Sequence, residues 1–472
     1  MKRRSRKDGR WTISEAARAI GAQFSGPDIP LPVSFCIDSR EVLPGDLFLA
    51  LEGETRDGHS FIEESISRGA GTLILDPDRA GETVSTALEN NIPVILAKDT
   101  GKALKELSLK WLEVLDPKEI IGITGTVGKT TTREMIRAVL SGLKGVHCAR
   151  KSFNTWIGCA LTVVEAPNDT DLLVLEFGTN HPGEIRSMAE DYRPGIGVIT
   201  EVGPGHLEGL KTIEGVLKAK MELMESPSLK YLSYNYDNTL LSRALCNIKE
   251  SVTGLPVGKK SPLYRISHSR FEFVDGLPRL EMVFKTPSGE RQICSELFGE
   301  HNAYAAGFAI AVADILGVPP EEQVLSLSEF KALPGRGKAY LSCNGFYIID
   351  DTYNANPLSM AGSLAALSNM NCKGKKWAVL GGMGELGEES DRLHRDISRF
   401  FRGIDGVFLL GEPWRKVFIP EIPDNCMFSS MEELEGLFLS NLSTGDAVLF
   451  KGSRSYRIER AVGILEGLSS WK

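Results

Sequence analysis

The chain has 472 residues, 42% of them apolar and 25% charged, with a formal net charge of −8. That length exceeds what one hydrophobic core organises and implies about two to four domains of ordinary globular composition. The acidic balance excludes a nucleic acid as main partner, because no basic cluster beyond the first ten residues offsets repulsion from a polyanion.

The opening run MKRRSRKDGR at 1–10 has the basic start of an export signal, but WTISEAARAI follows, carrying Glu15 and Arg18 and no unbroken apolar core. It reads as a basic tail leading into an amphipathic helix. The most apolar long stretch, 308–318, is too short to span a bilayer and contains Asp314. A cytoplasmic chain with no membrane span is expected. Eight cysteines stand at 36, 148, 159, 246, 294, 343, 372 and 426 without a CxxC pair. They read as small, buried, reduced residues, with neither a disulfide framework nor a structural zinc site.

Up to about residue 115, strand-like runs at 46–51, 71–75 and 93–96 alternate with helical stretches. From 120 a buried-strand pattern, IIGITG, meets a Gly-rich turn and then a helix, TTTREMIRAVLSGL. Strand-like runs at 171–177 and 197–200 continue the alternation to about 328, while 247–297 is mixed and β-like with no assigned place. After LPGRGKAY a second α/β unit begins, with strands near 345–350, 377–380, 406–410 and 447–451. The alternation predicts α/β domains built on parallel sheets: a smaller N-terminal domain at 1–115, a central P-loop ATPase domain at 116–332, and a Rossmann-like C-terminal domain at 333–472.

The strongest chemical signal is GITGTVGKTT at 122–131, where a strand runs through glycines directly into a helix. Backbone N–H groups of such a loop, with the positive end of the helix, cradle phosphates. Lys129 would reach the β/γ-phosphates and the Thr130 hydroxyl would bind Mg²⁺. The general pattern places a glycine where this chain has Ile123; the glycines stand at 122 and 125 instead.

Three further residues suit metal chemistry. Glu176 ends an apolar strand, where open parallel sheets place ligand-binding groups. His206 lies in the turn GPGHLE shortly after another strand end. In the helix TIEGVLKAKMELME, Lys220 shares the face of Ile213, Leu217, Leu223 and Met224, whereas Lys218 points away. A buried, unpaired ammonium is costly, so Lys220 snorkels to the rim, is partnered, or is chemically modified.

Together these features resemble the Mur ligases, ATP-dependent amide-forming enzymes of peptidoglycan assembly. The family's phosphate loop is similar to TGTVGKT at 124–130, and LEFGTNHPGEI, GPGHLEG and the Lys220 helix match its metal-binding segments. The resemblance implies ATP and two Mg²⁺ ions, the loop residues Gly125, Thr126, Gly128, Lys129, Thr130 and Thr131 around the phosphates, Thr130 and Glu176 on one metal, and His206 with Lys220 on the other. It implies that Lys220 reacts with CO₂ to become a carbamate. LFGEHN at 297–302 resembles the segment that sets His301 and Asn302 near adenine, and LPGR at 333–336 gives Arg336 as a phosphate-facing cation. GGMGELG at 381–387 and KGSR at 451–454 complete the set.

DSR at 38–40, then LPGDLFLAL and RDGH, resembles the substrate-binding first domain and implies that Ser39, Arg40 and Asp57, with Asn154, face a UDP-N-acetylmuramoyl-tripeptide. DDTYNANP at 350–357 is similar to the members that add D-Ala-D-Ala; tripeptide-forming relatives tend to carry His where this chain has Ala355. Asp351, Asn354 and Asn356 are then expected at the amine site. The expected enzyme is a monomer acting on small molecules by way of an acyl phosphate, with residues 333–338 as hinge, where Pro for Gly335 or Gly337 would cut turnover more than nucleotide affinity. Thr155, Trp156, Phe177 and Glu201 depart from the family pattern.

Three competing readings are an oxidoreductase, a P-loop switch or motor, and a folylpolyglutamate synthetase-like ligase. The first rests on GMGELG at 382–387, which satisfies GxGxxG after a strand. The acidic residue that a dinucleotide needs at the end of the next strand is absent, since Asp405 precedes that strand. The second does not need a buried Lys220, and the third generally lacks the first domain.

Overall fold

The computed structural model describes residues 9–53, 56–150, 152–274, 276–419 and 421–468. Most of the expected basic tail (1–8) and Lys151 of the KSFNTWIG stretch lie outside them. Three sheets, of five, nine and six strands, draw on residues 23–96, 119–295 and 338–451.

In the first sheet the strands Leu47–Leu49, Thr72–Leu75 and Val94–Leu96 run parallel beside Phe35–Cys36, and Gln23–Ser25 adds antiparallel at the far edge. Leu47, Phe48 and Leu49, like Thr72–Leu75, are buried throughout. Continuous apolar runs of this kind belong to strands covered on both faces. The amphipathic start is the helix Ile13–Ala19, closed by a capping box between Thr12 and Glu15.

The helix Thr100–Leu115 attaches this layer to the next. It begins on Asp99, which accepts from the Lys102 amide, and buries Leu104, Leu107, Trp111 and Leu115. Trp111 Nε1 donates to the Ala166 carbonyl at 3.1 Å, and its ring meets Trp11 edge-on at 5.2 Å. Arg10 lies 5.2 Å from the Trp111 ring and donates to the Val164 carbonyl at 2.6 Å. Chain from both ends of the first layer therefore grips the end of the helix Trp156–Glu165.

The central sheet has the parallel strands Glu119–Thr124, Val146–Cys148, Leu172–Glu176, Ile196–Ile199, Tyr231–Asn235 and Thr253–Gly258. The unassigned stretch 247–297 extends it: Tyr264–Val274 joins in parallel, then Leu277–Thr286 and Gly289–Ser295 fold back as antiparallel hairpins. Pro278, Leu280, Met282 and Phe284 alternate inward there, a two-residue period unlike the fully buried parallel strands. The apolar helix Asn302–Ile315 packs on these strands and on the helix Lys129–Val139. Among the described residues no helix is long and apolar enough to cross a membrane.

In the third sheet, Tyr347–Asp351, Ala447–Lys451, Lys376–Gly381, Gly406–Leu410 and Cys426–Ser429 are parallel, with Lys338–Leu341 antiparallel at one edge. Asp405 accepts from the Lys376 amide at 2.8 Å, at the amino end of these strands and so opposite the GMGELG loop. The expectation of buried thiols is corrected at three positions, since Cys246, Cys294 and Cys343 are exposed. Cys246 follows the helix Thr239–Ala244, Cys294 faces outward on an edge strand, and Cys343 sits in a hairpin turn.

Replacing Trp111 with alanine should cost about 3–5 kcal/mol in urea denaturation, through the lost ring volume and the orphaned Ala166 carbonyl. Trp111→Phe should recover more than half of that loss, because it restores the ring contact and not the hydrogen bond.

Candidate active site

The strand Glu119–Thr124 lies inside the central sheet and delivers the chain to the helix Lys129–Val139 through Gly125 (φ +147°) and Gly128 (φ +84°). A Cβ at Gly125 would collide with the Thr200 hydroxyl, so this turn requires glycine. The neighbouring strand end braces the loop: Thr200 Oγ1 donates to the Val127 carbonyl at 2.5 Å, and the Thr126 amide donates to the Glu201 carbonyl at 2.8 Å. Lys129 Nζ donates to the Gly125 carbonyl at 2.8 Å. Burial holds its pKa below the usual lysine value, with Glu176 opposing the shift.

Glu176 is the last residue of its strand and is buried. The Thr130 hydroxyl donates to it at 3.0 Å, and Arg133 Nη1 lies 3.4 Å from the same oxygen. Arg133 is itself buried and pairs with Glu134 at 2.7 Å. Arg336 reaches in from the third domain, donating to Thr130 Oγ1 and Ser152 Oγ at 3.1 Å each, with its guanidinium 3.8 Å from the centre of the Tyr353 ring. Burial pushes the Arg336 pKa down, opposed first by Glu176.

On the third-domain side, Asp351 accepts from Lys451 Nζ and from the Ser363 hydroxyl, both at 2.6 Å. Lys451 also donates to the Asn354 carbonyl at 3.1 Å, and Asn356 caps the helix Pro357–Asn369. Burial lowers the His301 pKa, with Asp351 opposing. Asn302 Nδ2 donates to the Phe298 carbonyl at 2.8 Å, leaving its side-chain oxygen for other partners. His206 adopts φ +56° with Nδ1 2.6 Å from Glu385 of the GGMGELG loop, and His206 holds the Glu385 carboxyl below its usual range.

One cavity of about 700 Å³ joins these groups. It is lined by Thr126, Gly128, Lys129, Thr130, Thr131, Asn154, Glu176, His206, His301, Asn302, Arg336, Asp351, Asn354 and Asn356. Gly125 does not line it; its carbonyl accepts from Lys129 Nζ, which does. Lys220 does not line the cavity; it is fully buried, and its Nζ has no hydrogen-bond partner among the described residues, while Lys218 is exposed. Burial drives its pKa well below that of an ordinary lysine, with Lys129 adding to the shift.

Ser39, Arg40 and Asp57 are not brought to this cavity. Ser39 donates to Glu64 at 2.7 Å, Arg40 pairs with Asp38 at 2.6 Å, and Asp57 holds His59 at 2.7 Å and Arg79 at 2.9 Å. The proline test of the hinge also needs correction. Gly335 (φ +70°) and Gly337 (φ +75°) donate their amides to the Asp350 carboxylate and carbonyl, at 2.9 Å each. Proline there would break the turn itself, so its effect could not be ascribed to hinge motion.

Sequence reasoning missed Arg133, Ser152, Tyr304 and Tyr353. Arg133 was detectable, since it lies three residues before Ile136 on the buried face of its helix, the same argument that isolates Lys220. The four departures have local roles. Thr155 caps the helix Trp156–Glu165, Trp156 lies against Gly101, Phe177 packs on Tyr192 at 6.5 Å, and Glu201 stands in the cavity wall.

This chain is 32% identical to the UDP-N-acetylmuramoyl-tripeptide–D-alanyl-D-alanine ligase of Bacillus subtilis, over 96% of this chain and 97% of that one. The chain belongs to the Mur ligase family. Three family models match consecutive segments: Mur ligase family, catalytic domain (34–111), Mur ligase middle domain (123–313) and Mur ligase, glutamate ligase domain (335–454). The Synechocystis relative of the same name is 33% identical over 92% of this chain and 91% of its own. Among solved structures, MurF from Acinetobacter baumannii superposes with a TM-score of 0.82 at 26% identity, covering 97% and 98% of the two chains. MurF ligase from Thermotoga maritima, in complex with ADP, gives 0.76 at 26%, covering 92% and 97%. As a Mur ligase the chain is an ATP-dependent enzyme that forms an amide bond.

Lys129→Met should weaken ATP binding by about 1.5–3 kcal/mol, roughly ten- to hundredfold in calorimetric titration, as one charge-assisted contact is lost. Thermal stability should hold or rise, because the variant no longer buries an ammonium held by a single carbonyl.

Proposed function

We propose that this Mur ligase joins D-Ala-D-Ala to the terminal carboxylate of UDP-N-acetylmuramoyl-tripeptide, in the cytoplasm, as a step of peptidoglycan precursor synthesis. The observation that carries the reading is the meeting of Lys129, Arg336 and Lys451, drawn from the second and third domains, around one cavity that begins at the phosphate loop. The full-length likeness to ligases of that name supports the choice of substrates.

The loop residues Gly125–Thr131 cradle the triphosphate of ATP, with backbone amides and the Lys129 ammonium set against its charge. A carboxylate oxygen of the tripeptide attacks the γ-phosphorus; the bond to the β-phosphate oxygen breaks, giving ADP and an acyl phosphate. The free amine of D-Ala-D-Ala then attacks the acyl carbon, the carbon–oxygen bond to phosphate breaks, and the amine gives up its proton. Arg336 is the cation that travels with the third domain, so domain approach sets positive charge against the phosphoryl group and excludes water from the acyl phosphate. Asp351, Asn354 and Asn356 lie on the same side and shape the amine site. Residues 1–115, with Ser39, Arg40 and Asp57, hold the UDP end, and Asn154 faces the muramoyl peptide.

The residues fit the Mg²⁺ that such ligases use. Thr130 and Glu176 present hydroxyl and carboxylate oxygens beside the loop, and such oxygens are hard-cation ligands. His206 and a carbamate on Lys220 would hold a second ion, and the partnerless buried amine of Lys220 suits the reaction with CO₂ that would make that carbamate. Among the described residues no three His, Cys, Asp or Glu side chains could hold a metal by themselves; oxygens of a bound nucleotide would supply further ligands. Bound there, Mg²⁺ would neutralise charge on the phosphates.

Phosphate release from ATP should require both UDP-N-acetylmuramoyl-tripeptide and D-Ala-D-Ala. Release with the nucleotide-sugar peptide but only a different amine would overturn the D-Ala-D-Ala assignment and leave the family reaction standing. In CO₂-depleted buffer the rate should fall and recover on adding bicarbonate, whereas the residual activity of Lys220→Ala should ignore bicarbonate.

A further inference from the structure

The third domain meets the central one at a second point besides Arg336. The loop 381–387 reaches across to the turn 203–208, where the Glu385 carbonyl accepts from the Glu208 amide at 3.2 Å. A Cβ on Gly387 would lie 3.3 Å from the Glu208 Cα, so the two backbones touch. Beside them Glu385 Oε2 comes within 2.6 Å of His206 Nδ1. The ring N–H is not aligned on the oxygen as in a hydrogen bond, so Glu385 acts on the imidazole through its charge.

Both residues sit in the left-handed region, His206 at φ +56° and Glu385 at φ +62°. Neither is glycine, and strain of this kind persists only where the surroundings impose it. For Glu385 those surroundings are plain. His394 is buried; its Nδ1 donates to the Ser390 carbonyl at 2.8 Å, and its Nε2 accepts at 2.9 Å from the amide of Met383, two residues before Glu385. The Ser453 amide donates to the Gly382 carbonyl at 3.0 Å. The loop is therefore braced on its own domain and presents Glu385 to the central one.

Glu385 and His206 both line the cavity. A carboxylate in the wall of a cavity that begins at a phosphate loop repels a polyphosphate unless a cation lies between them. An anion against Nδ1 favours the tautomer with its proton there, which leaves Nε2 as the nitrogen able to ligate a cation. Metal-binding histidines are commonly oriented in this way, by a carboxylate at the other ring nitrogen. We propose that Glu385 is a positioning residue for His206: from the third domain it fixes the ring and leaves Nε2 for the second ion. The inference rests on the assignment of His206 to a second Mg²⁺. It adds that this position is complete only when the third domain is seated against the central one.

The test counts Mn²⁺ bound to the full chain with ATP and bicarbonate, and no other substrate, from the electron paramagnetic resonance of the free ion. The wild-type protein should take up two ions. Glu385→Ala should weaken the second about ten- to hundredfold, the scale for losing such a carboxylate, and leave the first unchanged. Glu385→Gln, which keeps an acceptor oxygen without the charge, should lie between. His206→Asn keeps a ligating amide oxygen and has no ring to orient, so adding Glu385→Ala to it should weaken the second ion no further. A second ion held as tightly by Glu385→Ala as by the wild type would overturn the proposal. A further loss in the double variant would also overturn it, making Glu385 a ligand in its own right, and so would an equal loss of both ions, making it a brace for the loop. A wild-type protein that takes up a single ion would overturn the second position together with the proposal, a failure of the site assignment that the other outcomes do not share.

Discussion

A carboxylate held out of water among cations is the constraint on which the rest of this molecule turns. Glu176 is buried at the end of a central strand, with the Thr130 hydroxyl and Arg133 against its oxygens, and Lys129 and Arg336 close enough to feel its charge. A buried ion is tolerated only where its surroundings are fixed and polar, and removing one member of such a set leaves the others uncompensated. Arg133 is also paired with the buried carboxylate of Glu134, and the other two cations, Lys129 and Arg336, are left to share the one carboxylate of Glu176. Lys129 and Arg336 are therefore most at ease when an anion enters, which makes the protein's own electrostatics part of nucleotide recognition.

The fold supplies that arrangement by bringing strand ends together. Glu119–Thr124 and Leu172–Glu176 are neighbours in the sheet, so the phosphate loop and the carboxylate leave it side by side. Ile196–Ile199 flanks the loop strand on its other side and contributes Thr200 and Glu201 to the bracing. The third domain faces them with the carboxyl ends of its own parallel strands, where Asp351 and Lys451 are paired. Active groups at the carboxyl ends of two sheets, one facing the other, are what a reaction between a phosphorylated acid and an incoming amine needs.

Much of this was legible in the residues. The phosphate loop declares itself through glycines that only a tight strand-to-helix turn requires, and Lys220 declares itself by standing on an apolar face. The strands at 406–410 and 447–451 were readable because both faces are buried and the apolar run is unbroken. The stretch 264–295 was legible as β-like but not in its place, because alternation marks one buried face without saying which strand of which sheet it joins. Arg133 was hidden by its charge, which reads as surface until its helical position is considered. Tyr353 and Tyr304 carry no local signature, since their importance comes from Arg336 and Asp237, which only folding brings near. Nor does the sequence say that Arg40 and Asp57 already have partners within the first domain, at a distance from the phosphate loop.

The central claim is that the cavity activates a carboxylate as an acyl phosphate before an amine arrives. Its most direct test is to label the terminal carboxylate of the UDP-N-acetylmuramoyl-tripeptide with heavy oxygen, run the reaction with ATP and D-Ala-D-Ala, and weigh the released phosphate. The account predicts that each phosphate carries one oxygen from the substrate carboxylate. Phosphate free of the label, with the amide still formed, would contradict it.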